Sequence, residues 1–202
     1  VLNHAHAMVI GVGGVGSWAA EALARSGVGK ITLVDDDTVC PTNFNRQLQA
    51  VEDAIGQTKA TVLAQRLLTI NPELEVIAET KRYNRESYNE ILACDPDCVI
   101  DAIDSIPEKC HLLATCLERG IKVISSTGAG GRINPAMVTS SDLAHTYMDP
   151  LASVLRKELR RKYNFPDNGK FGITAVFSTE PPAPPQENIR GTSICVTGTF
   201  GF

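Results

Sequence analysis

The sequence predicts an α/β fold of the Rossmann type, a mostly parallel sheet with helices on both faces. Strand-sized apolar runs alternate with longer stretches of helical period, an order that gives βαβ units. A glycine run stands where the first strand hands over to the first helix. The chain has 202 residues, 43% of them hydrophobic and 21% charged, which is enough for one core and unlike a disordered or collagen-like composition. It reads as a single domain over 1–202.

Residues 7–12 (AMVIGV) form the first strand. Val15, Trp18, Ala19, Ala22 and Leu23 then recur at helical spacing through 14–25, and Gly27 and Gly29 end that helix before a second strand at 31–34. A polar loop from Asp35 to Gln49 holds Pro41, Asn43, Asn45 and Arg46, and is long enough to be functional. A helix at 59–70 stops at Asn71-Pro72, and a third strand follows at 74–78. A weak helix at 85–92 leads to a strand at 98–103. Pro107 suits the first turn of the next helix, Gly120 its end, and 123–126 the next strand. A glycine-rich turn covers 128–131. Asp149-Pro150 is an N-cap and first-turn pair for a last helix, whose segment 156–162 carries five positive charges and one negative. Four prolines between 181 and 185 predict an extended crossover near 181–190.

The 19 Lys and Arg against 23 Asp and Glu give a net charge of −4, so no chain-wide positive field draws the protein to nucleic acid; any such contact is a local patch. No apolar run is long enough to predict a membrane span. The six cysteines (Cys40, Cys94, Cys98, Cys110, Cys116, Cys195) are thinly spread and read as free thiols; Cys195 reads as a small buried residue. They form no Cys-x-x-Cys pair, so structural zinc is not expected. There is no initiator Met, and both ends read as trimmed.

Gly11-Val12-Gly13-Gly14-Val15-Gly16-Ser17 sits at a strand-to-helix junction, where backbone N–H groups and the positive helix end face an anion. Asp35, 19 positions after Gly16, follows the second strand and is placed to accept ribose hydroxyls. A nucleotide follows, but Gly11, Gly13 and Gly16 also fit the dinucleotide pattern, so hydride transfer stays open at this point. The polar residues downstream separate the readings. Activation by ATP needs cations at the polyphosphate and a carboxylate for Mg²⁺, whereas a nicotinamide site needs neither. Asn43, Arg46, Gln47 and Lys59 follow the second strand, and Asp101 and Asp104 lie at the carboxyl end of a later one, where ligands of such sheets bind. A cation at Lys59, on a first helical turn, opposes the helix dipole unless an anion compensates it.

At these residues the sequence resembles the ubiquitin-activating superfamily of adenylating enzymes, whose bacterial-type members activate sulfur carriers. The glycine loop, Asp35, the Asn43-x-Asn45-Arg46-Gln47 run, Lys59 and Asp101-Ala102-Ile103-Asp104 occur in that order. Within the superfamily it is most similar to the tRNA threonylcarbamoyladenosine dehydratases. That likeness lies in 9–23 (VIGVGGVGSWAAEAL), 99–105 (VIDAIDS), Gly128 to Gly131 with Asn134-Pro135, Asp142-Leu143-Ala144, Asp149-Pro150-Leu151, 176–180 (VFSTE) and 199–202 (TFGF).

The resemblance implies an adenylation domain that uses ATP and Mg²⁺ to cyclise threonylcarbamoyladenosine beside the anticodon through an acyl-adenylate. It implies that Gly11, Gly13, Gly14 and Gly16 cradle phosphate, Asp35 holds the ribose, and Asn43 and Gln47 position phosphate or ribose. It further implies that Lys59 pairs with phosphate oxygens, that Arg46 is an arginine finger near a homodimer interface, and that Asp104 holds Mg²⁺ with Asp101 in support. The implied partners are tRNA and a second copy of the chain; a sulfur-relay protein partner stays open, and the charge of 156–162 makes that segment the candidate surface for tRNA phosphates. The implied location is the cytoplasm, or the cytosolic face of the mitochondrial outer membrane in a eukaryote. Two other functions remain open on the residues: adenylation of the C-terminal glycine of a ubiquitin-like or sulfur-carrier protein, and an NAD-binding oxidoreductase or nucleotide-sensing module.

Overall fold

A computed structural model describes residues 2–181 of the chain. Seven strands form one sheet: β1 (His6–Ile10), β2 (Lys30–Val34), β3 (Glu75–Glu79), β4 (Cys98–Asp101), β5 (Lys122–Ser126), β6 (Val138–Asp142) and β7 (Thr174–Ser178). Their spatial order is β3-β2-β1-β4-β5-β7-β6. Every pairing is parallel except β6 with β7. The helices are α1 (Gly16–Arg25), α2 (Lys59–Ile70), α3 (Tyr88–Ile91), α4 (Ile106–Glu118) and α5 (Pro150–Tyr163).

Alternation along β1 divides the core in two, because successive side chains point to opposite faces of a strand. Met8 and Ile10 pack with Leu112 and Leu113 of α4 and Leu155 and Leu159 of α5. Ala7 and Val9 pack on the other face with Ala20 of α1 and Leu63 and Leu67 of α2. The expected helices on both faces are therefore present.

Several boundaries move for local reasons. The strand expected at 7–12 ends at Ile10, because Gly11 turns the chain with φ +86°. The helix expected from 14 starts at Gly16, and the weak helix at 85–92 shrinks to α3. The strand expected at 98–103 ends at Asp101, whose carboxylate accepts the Ile103 N–H at 3.1 Å and folds the chain back. Pro107 does lie in the first turn of α4, and Gly120, at φ +69°, follows its end. Asp149 does cap α5, accepting the Ala152 N–H at 2.9 Å.

The sequence reading contained no strand at β6 or β7. The polar string Val-Thr-Ser-Ser-Asp of β6 lies at the sheet edge with Thr139 and Ser140 exposed, so it lacks an apolar run. Among the described residues, no helix is long and apolar enough to cross a membrane. Cys40, Cys94, Cys98, Cys110 and Cys116 are free thiols. Pro181 is the last described residue, so the rest of the proline-rich crossover, Cys195 and 199–202 lie outside the described residues.

Candidate active site

A cleft of about 600 Å³ opens where β1, β2, β4 and β5 end. It is the position that parallel sheets offer to ligands, since loops there diverge to helices on opposite faces. Nine of the eleven residues expected at the site line it: Gly11, Gly13, Gly14, Asp35, Asn43, Arg46, Gln47, Lys59 and Asp104. Gly16 and Asp101 do not.

Gly16 belongs to the turn rather than to the ligand. A methyl group there would lie 1.8 Å from the Gly11 carbonyl oxygen, so glycine lets α1 start directly against the end of β1. The helix entry is held by Ser17, whose hydroxyl donates to Gly13 O at 2.7 Å. Asp35 ties the next loop to this one. One carboxylate oxygen accepts the Val12 N–H at 2.8 Å and the other the Asp37 N–H at 2.9 Å. Burial pushes its carboxyl above the usual range, against the pull of those two N–H groups.

The loop after β2 carries four of the expected residues. Asn43 Oδ1 accepts the Cys40 N–H at 3.1 Å and closes a short 3₁₀ turn, Pro41–Asn43. Arg46 donates from Nη1 to Thr42 O at 2.9 Å and to Asn45 Oδ1 at 3.0 Å, and its methylenes lie over Gly14. Trp18 Nε1 donates to the Arg46 carbonyl at 3.0 Å, which fastens the loop to α1. Gln47 is buried, and its Oε1 has no hydrogen-bond partner among the described residues.

Lys59 is buried and its ammonium lies 2.7 Å from the exposed carboxylate of Asp37. The anion offsetting this cation at the head of α2 is thus a side chain. Asp35, Asp36 and Asp37 bring carboxylate oxygens within 4.8 Å of one another. Asp37 is paired with Lys59, and both oxygens of Asp35 accept backbone N–H groups.

Asp101, expected among the nucleotide-binding residues in support of Asp104, does not line the cleft: it is completely buried, 2.9 Å from the ammonium of an equally buried Lys109, and accepts the Ser125 hydroxyl at 2.6 Å. Asp104, three residues on, is exposed on the cleft. The cations of the segment 156–162 have local contacts. Arg156 donates to Thr146, Arg160 donates to Pro166 O and lies over the Phe171 ring, and Arg161 and Lys162 both pair with Glu158. Lys157 is exposed on the same helix, and of the five cations only Arg161 and Lys162 meet a carboxylate, the one they share.

Sequence reasoning missed the residues that follow β3 and β5. Lys81, Arg82 and Tyr83 line the cleft after β3, and Ser126 to Gly130 line it after β5. Each lies just past a strand's carboxyl end, a signal that becomes usable once the strand order is known. Tyr83 is buried, its hydroxyl pairs with His111 Nδ1 at 3.0 Å, and burial pushes its pKa well up.

The sequence pattern of the ThiF family matches residues 1–176. The chain is also 44% identical to the tRNA threonylcarbamoyladenosine dehydratase of Haemophilus influenzae, over all of this chain and 83% of that protein. The chain belongs to the ThiF family, on its dehydratase branch. Among solved structures, it is similar to E. coli tRNA N6-threonylcarbamoyladenosine dehydratase, TcdA, in complex with ATP. That match has a TM-score of 0.92 and 44% identity, over 99% of this chain and 82% of that one. Another ThiF-family relative, the sulfur carrier protein ThiS adenylyltransferase of E. coli, is 34% identical over 62% of this chain and 51% of that protein. The ThiF assignment agrees with the expected adenylation fold and with a sheet whose ligand end carries the glycine loop.

Proposed function

We propose that this chain uses ATP to close the threonylcarbamoyl group of N6-threonylcarbamoyladenosine in tRNA into a five-membered ring. The observation that carries this reading is the convergence of Gly13, Gly14, Asp35, Arg46, Lys59 and Asp104 on one cleft. It is supported by likeness to a dehydratase along the whole chain, whereas likeness to the ThiS adenylyltransferase extends over 62% of it.

In the first step the substrate carboxylate attacks the α-phosphorus of ATP. A carboxylate O–P bond forms, the bond to the β-phosphate bridging oxygen breaks, and pyrophosphate leaves. In the second, an internal nucleophile of the same modification attacks the activated carbonyl, loses its proton and expels AMP. Water is lost overall, and ATP becomes AMP and pyrophosphate. Ring closure needs mainly orientation, because an intramolecular attack has a large effective concentration.

Each lining residue has a part. The Gly13-Gly14 backbone lets phosphate approach, and Asp35 retains lone pairs for ribose hydroxyls beside the two N–H bonds it accepts. Arg46 and Lys59 neutralise charge as pyrophosphate departs, Lys59 exchanging Asp37 for a phosphate oxygen. Asn43 and Gln47 complete the cradle, the unpartnered Gln47 Oε1 fitting a hydroxyl donor. Mg²⁺, a hard cation that takes oxygen ligands, fits the exposed Asp104 carboxylate, and when bound it supplies charge neutralisation at the phosphates. Asp101 acts only through the loop it anchors.

The Arg46 loop also exposes Phe44, Val51 and Ile55, an apolar face that suits a second copy of the chain. A tRNA substrate goes with a cytoplasmic location. The scheme as written uses no thiol and assigns no step to a sulfur-relay partner.

Incubation with Mg-ATP and tRNA bearing the modified nucleoside tests the proposal. It expects AMP release and loss of one water from the nucleoside, seen by mass spectrometry. Pyrophosphate exchange that depends on a carrier protein and ignores tRNA would select the carrier reading instead. Tight NAD binding without response to ATP would select the oxidoreductase.

A further inference from the structure

Two adjacent serines end β5 and face opposite ways, as neighbours on a strand do. Ser125 donates its hydroxyl to the buried Asp101 at 2.6 Å. Ser126 lines the cleft; the residue is 7% exposed, and its hydroxyl has no hydrogen-bond partner among the described residues. A buried hydroxyl with nothing to bond is unfavourable and uncommon in a folded protein.

The wall around it is already fixed. Thr127 donates its N–H to Val176 O at 3.0 Å and its hydroxyl to Asp149 at 2.6 Å, and the Gly128 N–H reaches the same carboxylate at 2.9 Å. Arg132 sits behind, 3% exposed, donating to Glu180 O and Met148 O. Thr127, Gly128 and Arg132 are thus committed to partners other than Ser126.

Strand order says which part of the substrate meets it. Across the cleft run β2, β1, β4 and β5, at about 4.8 Å per strand, so Ser126 stands roughly 14 Å from the Asp35 end. The lining cations lie toward that far end, Arg46 and Lys59 after β2 and Lys81 and Arg82 after β3. The β5 end offers Ser126, Thr127, Gly128, Ala129, Gly130 and the side chain of Leu151, with no cation among these. Polyphosphate spans from these cations to Asp104 at the β4 end, which leaves the adjoining neutral wall of β5 for the group that attacks it.

We propose that Ser126 forms the acyl-substrate subsite, its hydroxyl donating to the carboxylate-bearing arm of the modified nucleoside. This rests on the proposed reaction and assigns the end of the cleft that receives the carboxylate. The test is Ser126→Ala in the full chain, with KM and kcat measured separately for ATP and for threonylcarbamoyl-tRNA. The variant keeps its melting temperature, since the hydroxyl makes no bond in the fold, and keeps its KM for ATP. Its kcat/KM for the modified tRNA falls roughly tenfold or more, as expected when a charge-accepting partner loses its donor.

A raised KM for ATP with unchanged tRNA kinetics would overturn the proposal and give the hydroxyl to the phosphates. Unchanged kinetics for both substrates would overturn it while the wild-type protein still dehydrates tRNA, so the function stands without the subsite. A wild-type protein that leaves the nucleoside intact removes both.

Discussion

Lys109 and Asp101 form an ion pair 2.9 Å long beneath the cleft, and neither side chain has any exposed surface. Lys109 also donates to Ile103 O at 3.0 Å, while Asp101 accepts the Ile103 N–H at 3.1 Å. Ile103 is therefore gripped at both its polar groups, and the next residue, Asp104, is delivered to the cleft. Two buried charges are tolerable only together, because removing one strands the other. Lys109→Met alone should cost about 3–5 kcal/mol, measured by urea unfolding. Adding Asp101→Asn should recover more than half of that loss. Simple additivity of the two single losses would show that the pair is not coupled.

Arg46 should be separable from the fold. The bond that anchors its loop runs from Trp18 Nε1 to the Arg46 backbone carbonyl, which any side chain at position 46 retains. Arg46→Ala should leave stability within about 1 kcal/mol. It should cut the activation step about a hundredfold, the scale of losing a charge that acts as the leaving group departs. Trp18 is the only tryptophan, so its fluorescence reports directly whether the loop stays docked. A shifted emission in Arg46→Ala would mean that the loop has moved and that the lost rate does not measure the charge.

The fold was legible wherever one residue set its own geometry. Gly11 and Gly16 marked the first turn, Pro107 and Asp149-Pro150 the helix starts, and the apolar runs of β1, β2 and β4 the middle of the sheet. What stayed hidden depended on neighbours distant in sequence. The edge strand β6 pairs only with β7, and its Thr-Ser-Ser centre has no apolar signature. Asp101 and Asp104 look alike as sequence, but Lys109 makes one a buried anchor and leaves the other to the cleft. The charge of 156–162 was legible, but the contacts of Arg156 and Arg160 were not, since Thr146, Pro166 and Phe171 lie outside α5.

Asp142 gives the β6 end a pH-dependent fastening. Burial works to raise its carboxyl, but N–H groups of Phe171, Ala144 and Gly172, at 2.9, 2.9 and 2.8 Å, outweigh it and hold the group below the usual carboxylate range. A lowered folded-state pKa means that the ionised form is favoured by folding. Its contribution is therefore present above the ordinary value of 3.8 and lost as pH falls through the lower folded value. Asp142→Ala should cost about 2 kcal/mol at neutral pH, from losing charge-assisted hydrogen bonds. The gap between wild type and variant should stay flat down to about pH 5 and narrow below the ordinary value, as read by denaturant unfolding at several pH values. A gap that widens in acid would mean that protonated Asp142 fastens the segment better than the carboxylate.

Binding of tRNA should depend on cleft-mouth cations more than on α5. Arg161 and Lys162 share Glu158, at 2.8 and 2.7 Å, so one of their two charges is offset within the helix and fewer counterions are released when phosphate binds there. Arg82, by contrast, is exposed and lines the cleft beside Lys81. Arg82→Ala should weaken tRNA binding severalfold and reduce the slope of log affinity against log salt by about 1, as for one lost phosphate contact. Replacing Arg161 and Lys162 with Ala should leave that slope nearly unchanged. Affinity titrations at several salt concentrations separate the two faces, and a larger slope change in the α5 variant would move the tRNA contact back to that helix.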